Sequence, residues 1–236
     1  MTLRAADVRK RLKAYAVPAD ADSLQRFFKT APGEYGAGDR FIGVKVPGVR
    51  AVCRSCRGLP LAEVRSLLRS RIHEERLLAL LLLVDAFARG RDAERERIYD
   101  FYLRHTAFIN NWDLVDASAA QIVGAWLRER GKAPLTALAR STSIWERRIA
   151  IIATFDSIRA GRLEDTFRVA GILLRDEHDL IHKAVGWMLR EAGKRDGAAE
   201  RRFLASRYKA MPRTMLRYAI EKFPEAERQR YLSGQV

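Results

Sequence analysis

The chain has 236 residues, of which 48% are hydrophobic and 31% charged, a balance that argues for a soluble, well-packed chain and against disorder. Its 44 Lys and Arg against 29 Asp and Glu leave a formal charge of +15, which ranks nucleic acid ahead of a membrane surface as partner. Seven Pro and 15 Gly are too few for a loop-rich β protein, whereas long stretches of Ala, Leu, Arg and Glu favour helices.

The first residues, Met1 to Asp7, contain no apolar segment followed by a small-residue cleavage site, so no signal peptide is expected. The longest apolar run, Leu77 to Val84, is too short to span a bilayer. The chain is therefore read as cytoplasmic, with no membrane partner. A helix is predicted from Ala5 to Ala16 and a second around Asp22 to Lys29. A glycine-rich stretch, Pro32 to Arg40, follows. It lacks both a preceding strand and a Gly-Lys-Ser or Gly-Lys-Thr ending, so it is taken as a connecting loop and not as a phosphate cradle. Pro47 then opens a helix that carries Val49, Val52, Cys53 and Cys56. A lone Cys-x-x-Cys without a second pair makes no tetrahedral zinc site, and the two cysteines are read as incidental helix residues.

From residue 58 onward the chain repeats itself. Segments with a small residue inside an apolar stripe recur as Glu75 to Ala79, Asp116 to Ala119, Glu146 to Ala150, His182 to Gly186 and Met215 to Ala219. The small residues at 79, 119, 150, 186 and 219 are spaced by roughly 31 to 40, the period of paired-helix repeats. Partner helices are predicted at about 61–70, 92–104, 134–140, 163–174 and 197–208, separated by breaks at Gly58, Gly90, Gly131, Gly161 and Gly197. The expected fold is all-α, a solenoid of helix pairs in one domain, with residues 1–57 as N-terminal helices and loop and residues 58–230 as repeats.

Trp112 and Asp116 stand four apart and share a helix face. Taken alone, Trp is more often core, and Asp near a helix start is more often a cap. Arg148 and Trp187 fall on the corresponding inner helices of later repeats, and a solenoid directs such helices to one concave surface. An acid, a phosphate-binding cation and two aromatic walls suit a site acting on one nucleotide of a duplex. Trp126 and Trp145 are assigned to packing. The arginine runs Arg147-Arg148 and Arg201-Arg202 are mostly solvated faces, some of which meet phosphates. His178 and His182 share a predicted helix face, but Asp179-Leu180-Ile181 between them is not the Glu-x-x of a zinc protease, so no metal is expected.

Four spaced motifs carry a family resemblance: Phe41-Ile42-Gly43-Val44 with Pro47 and Arg50; Asn111-Trp112-Asp113 with Val115 and Asp116; Ile144-Trp145 with Arg148; and Ile181 with Lys183-Ala184, Gly186-Trp187 and Leu189-Arg190-Glu191. In these the chain resembles, over nearly its whole length, the DNA alkylation repair enzymes, alkylpurine DNA glycosylases with HEAT-like repeats. The resemblance implies a HEAT-like superhelix with a basic concave face for duplex DNA. It also implies Asp116 as the catalytic carboxylate, Trp112 and Trp187 flanking the damaged nucleotide, and Arg148 on the nearby backbone.

The implied activity is hydrolysis of the N-glycosidic bond of N3-alkylated adenine and N7-alkylated guanine in double-stranded DNA, leaving an abasic site. No cofactor is needed, and a monomer associated with the nucleoid during repair is expected. Two rivals stand beside it: a non-catalytic HEAT-like module for damaged or branched DNA, and a solenoid whose basic face meets an acidic protein. A carboxylate between two Trp favours the enzyme, because a backbone binder has little use for an acid facing phosphates.

Overall fold

The computed structural model describes residues 3–236. Among them the ordered elements are helices, apart from one isolated bridge between Arg40 and Ile72. The fold is all-α, as the composition and periodicity predict. No helix is long and apolar enough to cross a membrane among the described residues. The chain divides into two compact units, Met1–Ser118 and Ala119–Val236.

The first unit holds α1 (Ala5–Lys13), α2 (Pro18–Phe27), α3 (Val46–Ser55), α4 (Leu61–Leu68), α5 (His73–Arg89), α6 (Asp92–Leu103) and α7 (Trp112–Asp116). Helix α2 starts four residues ahead of the sequence expectation, because Pro18 supplies the preset φ of a first helical turn. Helix α3 likewise carries a proline in its first turn, and Cys56 sits just past its end. Both cysteines are free and buried.

Helix α5 is the axis of this unit, packed against α3, α4, α6 and α7. Eleven of its residues from His73 to Leu83 are buried without interruption, which explains why it shows little amphipathic asymmetry. Each fully buried Leu of the run contributes about 1.5–3 kcal/mol.

The second unit opens with a π-helical turn, Ala120–Gly124, that runs into α8 (Ala125–Leu127). It continues through α9 (Ala133–Ala139), α10 (Ile144–Arg159), α11 (Glu164–Ile172), α12 (Asp179–Gly193), α13 (Gly197–Ala205), α14 (Arg213–Ala219) and α15 (Glu225–Ser233). Helices α10, α12 and α14 pack in succession, and α9, α11 and α13 each pack on the member of that row that follows them or precedes them in the chain. Starts are fixed by side-chain caps: Ser143 Oγ accepts the Glu146 N–H at α10, and Asp196 Oδ1 accepts the Ala199 N–H at α13.

The small residues of the repeat pattern are where the helices meet. Ala79, Ala119 and Ala150 are fully buried and Ala219 is 1% exposed. Gly186 on α12 marks a close approach of two helices. A Cβ there would lie 2.5 Å from the Met215 carbonyl oxygen and 2.5 Å from the Tyr218 Cβ on α14. His178 differs from expectation: it is the N-cap of α12 and accepts the Leu180 N–H, while His182 bonds the Asp176 carbonyl. Among the described residues no group of three or more His, Cys, Asp or Glu is placed to hold a metal ion.

Two glycines on neighbouring helices separate packing from propensity. Gly186→Ala is expected to lower stability by about 1–3 kcal/mol through overpacking against backbone. Gly171, on α11 with open space around it, is expected to gain about 0.4–1 kcal/mol as Gly171→Ala. Urea unfolding of the two variants checks both signs.

Candidate active site

Helix α7 has only five residues, Trp112 to Asp116, too few to be stable on its own hydrogen bonds. Its position comes from its neighbours in the first unit. Leu114 and Val115 are fully buried anchors. Asn111, also fully buried, caps the helix, its Oδ1 accepting the Trp112 N–H at 2.8 Å while its Nδ2 donates to Asp39 Oδ2 at 3.3 Å. The Trp112 ring stacks on Phe28, with centroids 5.3 Å apart and planes 18° apart, and meets the edge of Phe27 at 6.0 Å. Phe28 in turn stacks on Phe41, and the His73 ring lies against Phe41 at 4.5 Å.

Beneath this aromatic layer is a charged network. The two ring nitrogens of His73 lie 2.9 Å from Asp39 Oδ2 and 2.8 Å from Asp113 Oδ2. Arg76 pairs with the other oxygen of Asp39 at 2.6 Å and donates to Asn110 Oδ1 at 2.8 Å. Burial works to raise the Asp39 carboxyl, but the His73 hydrogen bond and the Arg76 guanidinium outweigh it and hold it below the ordinary value. Burial likewise opposes the charge on His73, and the bonds to Asp113 and Asp39 outweigh it and raise the imidazole. Removing one partner of such a buried pair costs about 3–5 kcal/mol, because a charge is left uncompensated. Glu74, the next residue on α5, is 2% exposed and accepts the N–H groups of Ile42, Gly43 and Val44 at 2.9–3.2 Å. That carboxylate fixes the loop that presents Phe41.

On this base Trp112 and Asp116 both sit half-buried, one helical turn apart. The pair predicted to share a face is thus on one turn. Fully buried Tyr102 lies close enough to Asp116 to feel its charge. Its phenol, raised first by burial, bonds Ser118 Oγ at 3.0 Å, and Ser118 donates to the Leu114 carbonyl at 2.6 Å. The far end of α7 is held by these contacts.

The other two predicted residues belong to the second unit. Trp187 is half-buried on α12; its indole N–H donates to Glu191 Oε1 at 3.2 Å and its ring meets Phe155 at 6.1 Å. Burial favours a raised Glu191 carboxyl, but Lys194 and Arg190 overcome it and lower it. Arg148, in the first turns of α10, is 5% exposed, and its Nη1 donates to the Leu180 carbonyl of α12 at 2.6 Å. Its neighbour Arg147 pairs with Asp176 at 2.6 Å, and Arg201 with Glu227 at 2.6 Å, whereas the Arg202 side chain is 71% exposed. Trp126 is buried, with the Arg130 guanidinium over its ring at 3.5 Å, and Trp145 is half-buried.

Sequence reasoning missed His73, Asp39, Arg76 and the structural part of Asp113. Glu75 and Arg76 are read only as part of the Glu75 to Ala79 repeat segment, and the fold reveals that four consecutive residues, His73 to Arg76, are buried. Asp113 was in view as part of the Asn111-Trp112-Asp113 motif, but nothing in the spacing names its partner.

A model of the DNA alkylation repair enzyme family matches residues 8–223. The solved structure of a predicted DNA alkylation repair enzyme from Enterococcus faecalis is similar with a TM-score of 0.69 at 16% identity, covering 89% of this chain and 97% of that one. A crystal structure from Streptococcus mutans, that of smu.31, is similar with a TM-score of 0.53 at 15% identity, covering 94% and 99%. At these identities the two structures speak for the fold. No curated protein matches. The family match extends over most of the chain, and the protein belongs to the DNA alkylation repair enzyme family.

Proposed function

We propose that the protein is a DNA glycosylase that hydrolyses the N-glycosidic bond of cationic alkylated purines, N3-alkyladenine and N7-alkylguanine, in duplex DNA. The observation that carries this reading is the α7 turn, where Asp116 and Trp112 stand half-buried on a helix tethered from several sides. Family membership and the +15 charge support DNA as the partner. In this reading the protein works as a cytoplasmic monomer that joins the nucleoid during repair.

The chemistry asks little of the protein. A purine alkylated at N3 or N7 carries a positive charge and departs as a neutral base when the bond from its nitrogen to C1′ breaks. The electron pair leaves with the base, and no general acid is required. The sugar is left with oxocarbenium character, and water adds its oxygen to C1′ and loses a proton, giving an abasic site. An ionised Asp116 stabilises the sugar cation and orients the water. Trp112 and Trp187 are assigned to the flanks of the damaged nucleotide, where each aromatic face adds about 0.5–2 kcal/mol of attraction for a cation.

Arg148 is assigned to the DNA backbone. A specific observation favours a second reading for this residue: its burial and its bond to the Leu180 carbonyl are those of a tie between α10 and α12. Arg148→Ala decides between them. A phosphate contact predicts weaker binding and a salt dependence shallower by about one unit, one counterion fewer released. A tie predicts lower thermal stability with an unchanged salt slope.

The reading also predicts which lesions leave. With the carboxylate assigned to the sugar, the guanidinium to the backbone and the indole faces to the flanks of the nucleotide, none of the four groups is assigned to a base edge, so selection falls on the charge and lability of the lesion. Under single-turnover conditions, cationic adducts larger than methyl are expected to be released, while hypoxanthine and uracil are retained. Efficient removal of the neutral bases, or a steep loss of rate with adduct size, would contradict this. Binding of damaged or branched duplex without any base release would identify the non-catalytic module instead.

A further inference from the structure

We infer that His73, bridging Asp39 and Asp113 as an imidazolium, is the positioning residue for the α7 turn, and that its proton sets the alignment of Trp112 and Asp116. The activity readout of this inference rests on the glycosylase reading; its structural readouts do not.

The argument is one of donors and acceptors. An ionised carboxylate can only accept hydrogen bonds, and a neutral imidazole has one N–H to give. Ring nitrogens at 2.9 Å and 2.8 Å from two carboxylate oxygens therefore call for both N–H groups, and hence for a positive ring. Of the charged groups facing the ring, Asp39 and Asp113 favour this state, whereas the Arg76 guanidinium, 3.4 Å from Nδ1, opposes it and is outweighed by them. Asp39 comes from the loop ahead of α3, Asp113 from α7 and Arg76 from one turn along α5, and together with His73⁺ they form two anions and two cations. The remaining faces are apolar, supplied by Phe28 and Phe41. The ring itself is 2% exposed, so these interactions act at low dielectric.

Asp113 depends on this proton more than Asp39 does. Asp39 retains Arg76 and Asn111 when His73 is neutral. Asp113 has its Oδ1 buried with no partner, and its Oδ2 is the atom that meets His73. A neutral ring donates to one carboxylate only. With its N–H on the Asp39 side, repulsion falls on the helix that carries Trp112 on one side of Asp113 and Asp116 one turn further on. With its N–H on the Asp113 side, the Asp39 anchor of Asn111, the cap of that helix, is repelled instead. The same ring touches Phe28, the platform on which Trp112 stacks. One residue thus supports the turn through a polar and an aromatic route.

The direction of the pH effect follows. Burial disfavours the charged ring, yet its bonds to Asp113 and Asp39 outweigh burial and raise it above the ordinary histidine value. A group raised on folding contributes stability that is complete below its unfolded value, about 6.5, and that is lost as pH rises through the folded value. Alignment of α7 is accordingly complete below about 6.5 and is lost as pH rises through the raised value of His73.

The test uses the full chain with His73→Gln and Asp113→Asn, three readouts and wild type as reference. His73→Gln is expected to slow single-turnover release of N7-methylguanine by about 10²-fold, the effect of a displacement near 1 Å, with affinity for undamaged duplex unchanged because His73 is buried. Hydrogen exchange should quicken at residues 112–118 and stay as it was in the second unit. In Asp113→Asn, which keeps a neutral acceptor and carries the same test if His73→Gln does not fold, the fall in rate with rising pH should move toward acid. Imidazole NMR should show one of the four histidines, absent from His73→Gln, titrating above the ordinary range. A His73 that titrates in or below that range, or variants with unchanged exchange across α7, overturns the inference. If wild type releases no base, the glycosylase reading falls alone, and exchange and titration still decide the role of His73.

Discussion

A helix of five residues cannot keep its own geometry, so the side chains it displays are only as well placed as its tethers. In this protein the tethers of α7 converge on a buried set of charges: Asp39, His73, Arg76 and Asp113, with Asn111 joining the helix start to Asp39. With His73 protonated the set is neutral as a whole, and Phe28 and Phe41 lie against its imidazole. That arrangement meets the usual objection to burying charge, since every ion faces an opposite one at hydrogen-bond distance.

The same logic accounts for the loop of residues 32–44, which looks from its glycines like a simple connection. Glu74 draws the amides of Ile42, Gly43 and Val44 onto one carboxylate, and the Arg40 to Ile72 bridge brings Asp39 alongside the first turn of α5. The loop is therefore part of the apparatus that places α7. In the second unit, placement is achieved by packing instead. Helices α10, α12 and α14 form a row, Gly186 lets α14 approach α12, and Glu191 holds the indole N–H of Trp187.

Much of this was open to reading from the residues, and the exceptions have physical causes. The five partner helices were placed within a few residues because glycine breaks, proline starts and a 3.6-residue apolar period are local signals. The small residues at 79, 119, 150, 186 and 219 marked buried helix contacts correctly, since close approach of two helices demands small side chains. The π-helical turn at Ala120–Gly124 and the capping role of His178 were missed, as both depend on local hydrogen-bond choices that apolar spacing does not record. The buried network was missed for a deeper reason. A charged residue looks solvated until its partner is known, and the partners of His73 lie 34 residues before it and 40 residues after it. Arg148 was legible as a residue of interest, while its bond to Leu180 was not.

The central claim is that the Asp116 carboxylate on α7 stabilises the departing sugar cation. Its most direct test is a paired measurement on a duplex with a single N7-methylguanine, comparing wild type and Asp116→Asn for binding and for single-turnover base release. The account predicts release by wild type, a loss of roughly 10²-fold or more in the variant, as for removal of a group aimed at transition-state charge, and binding as tight as wild type or tighter. Equal rates in the two proteins would contradict it.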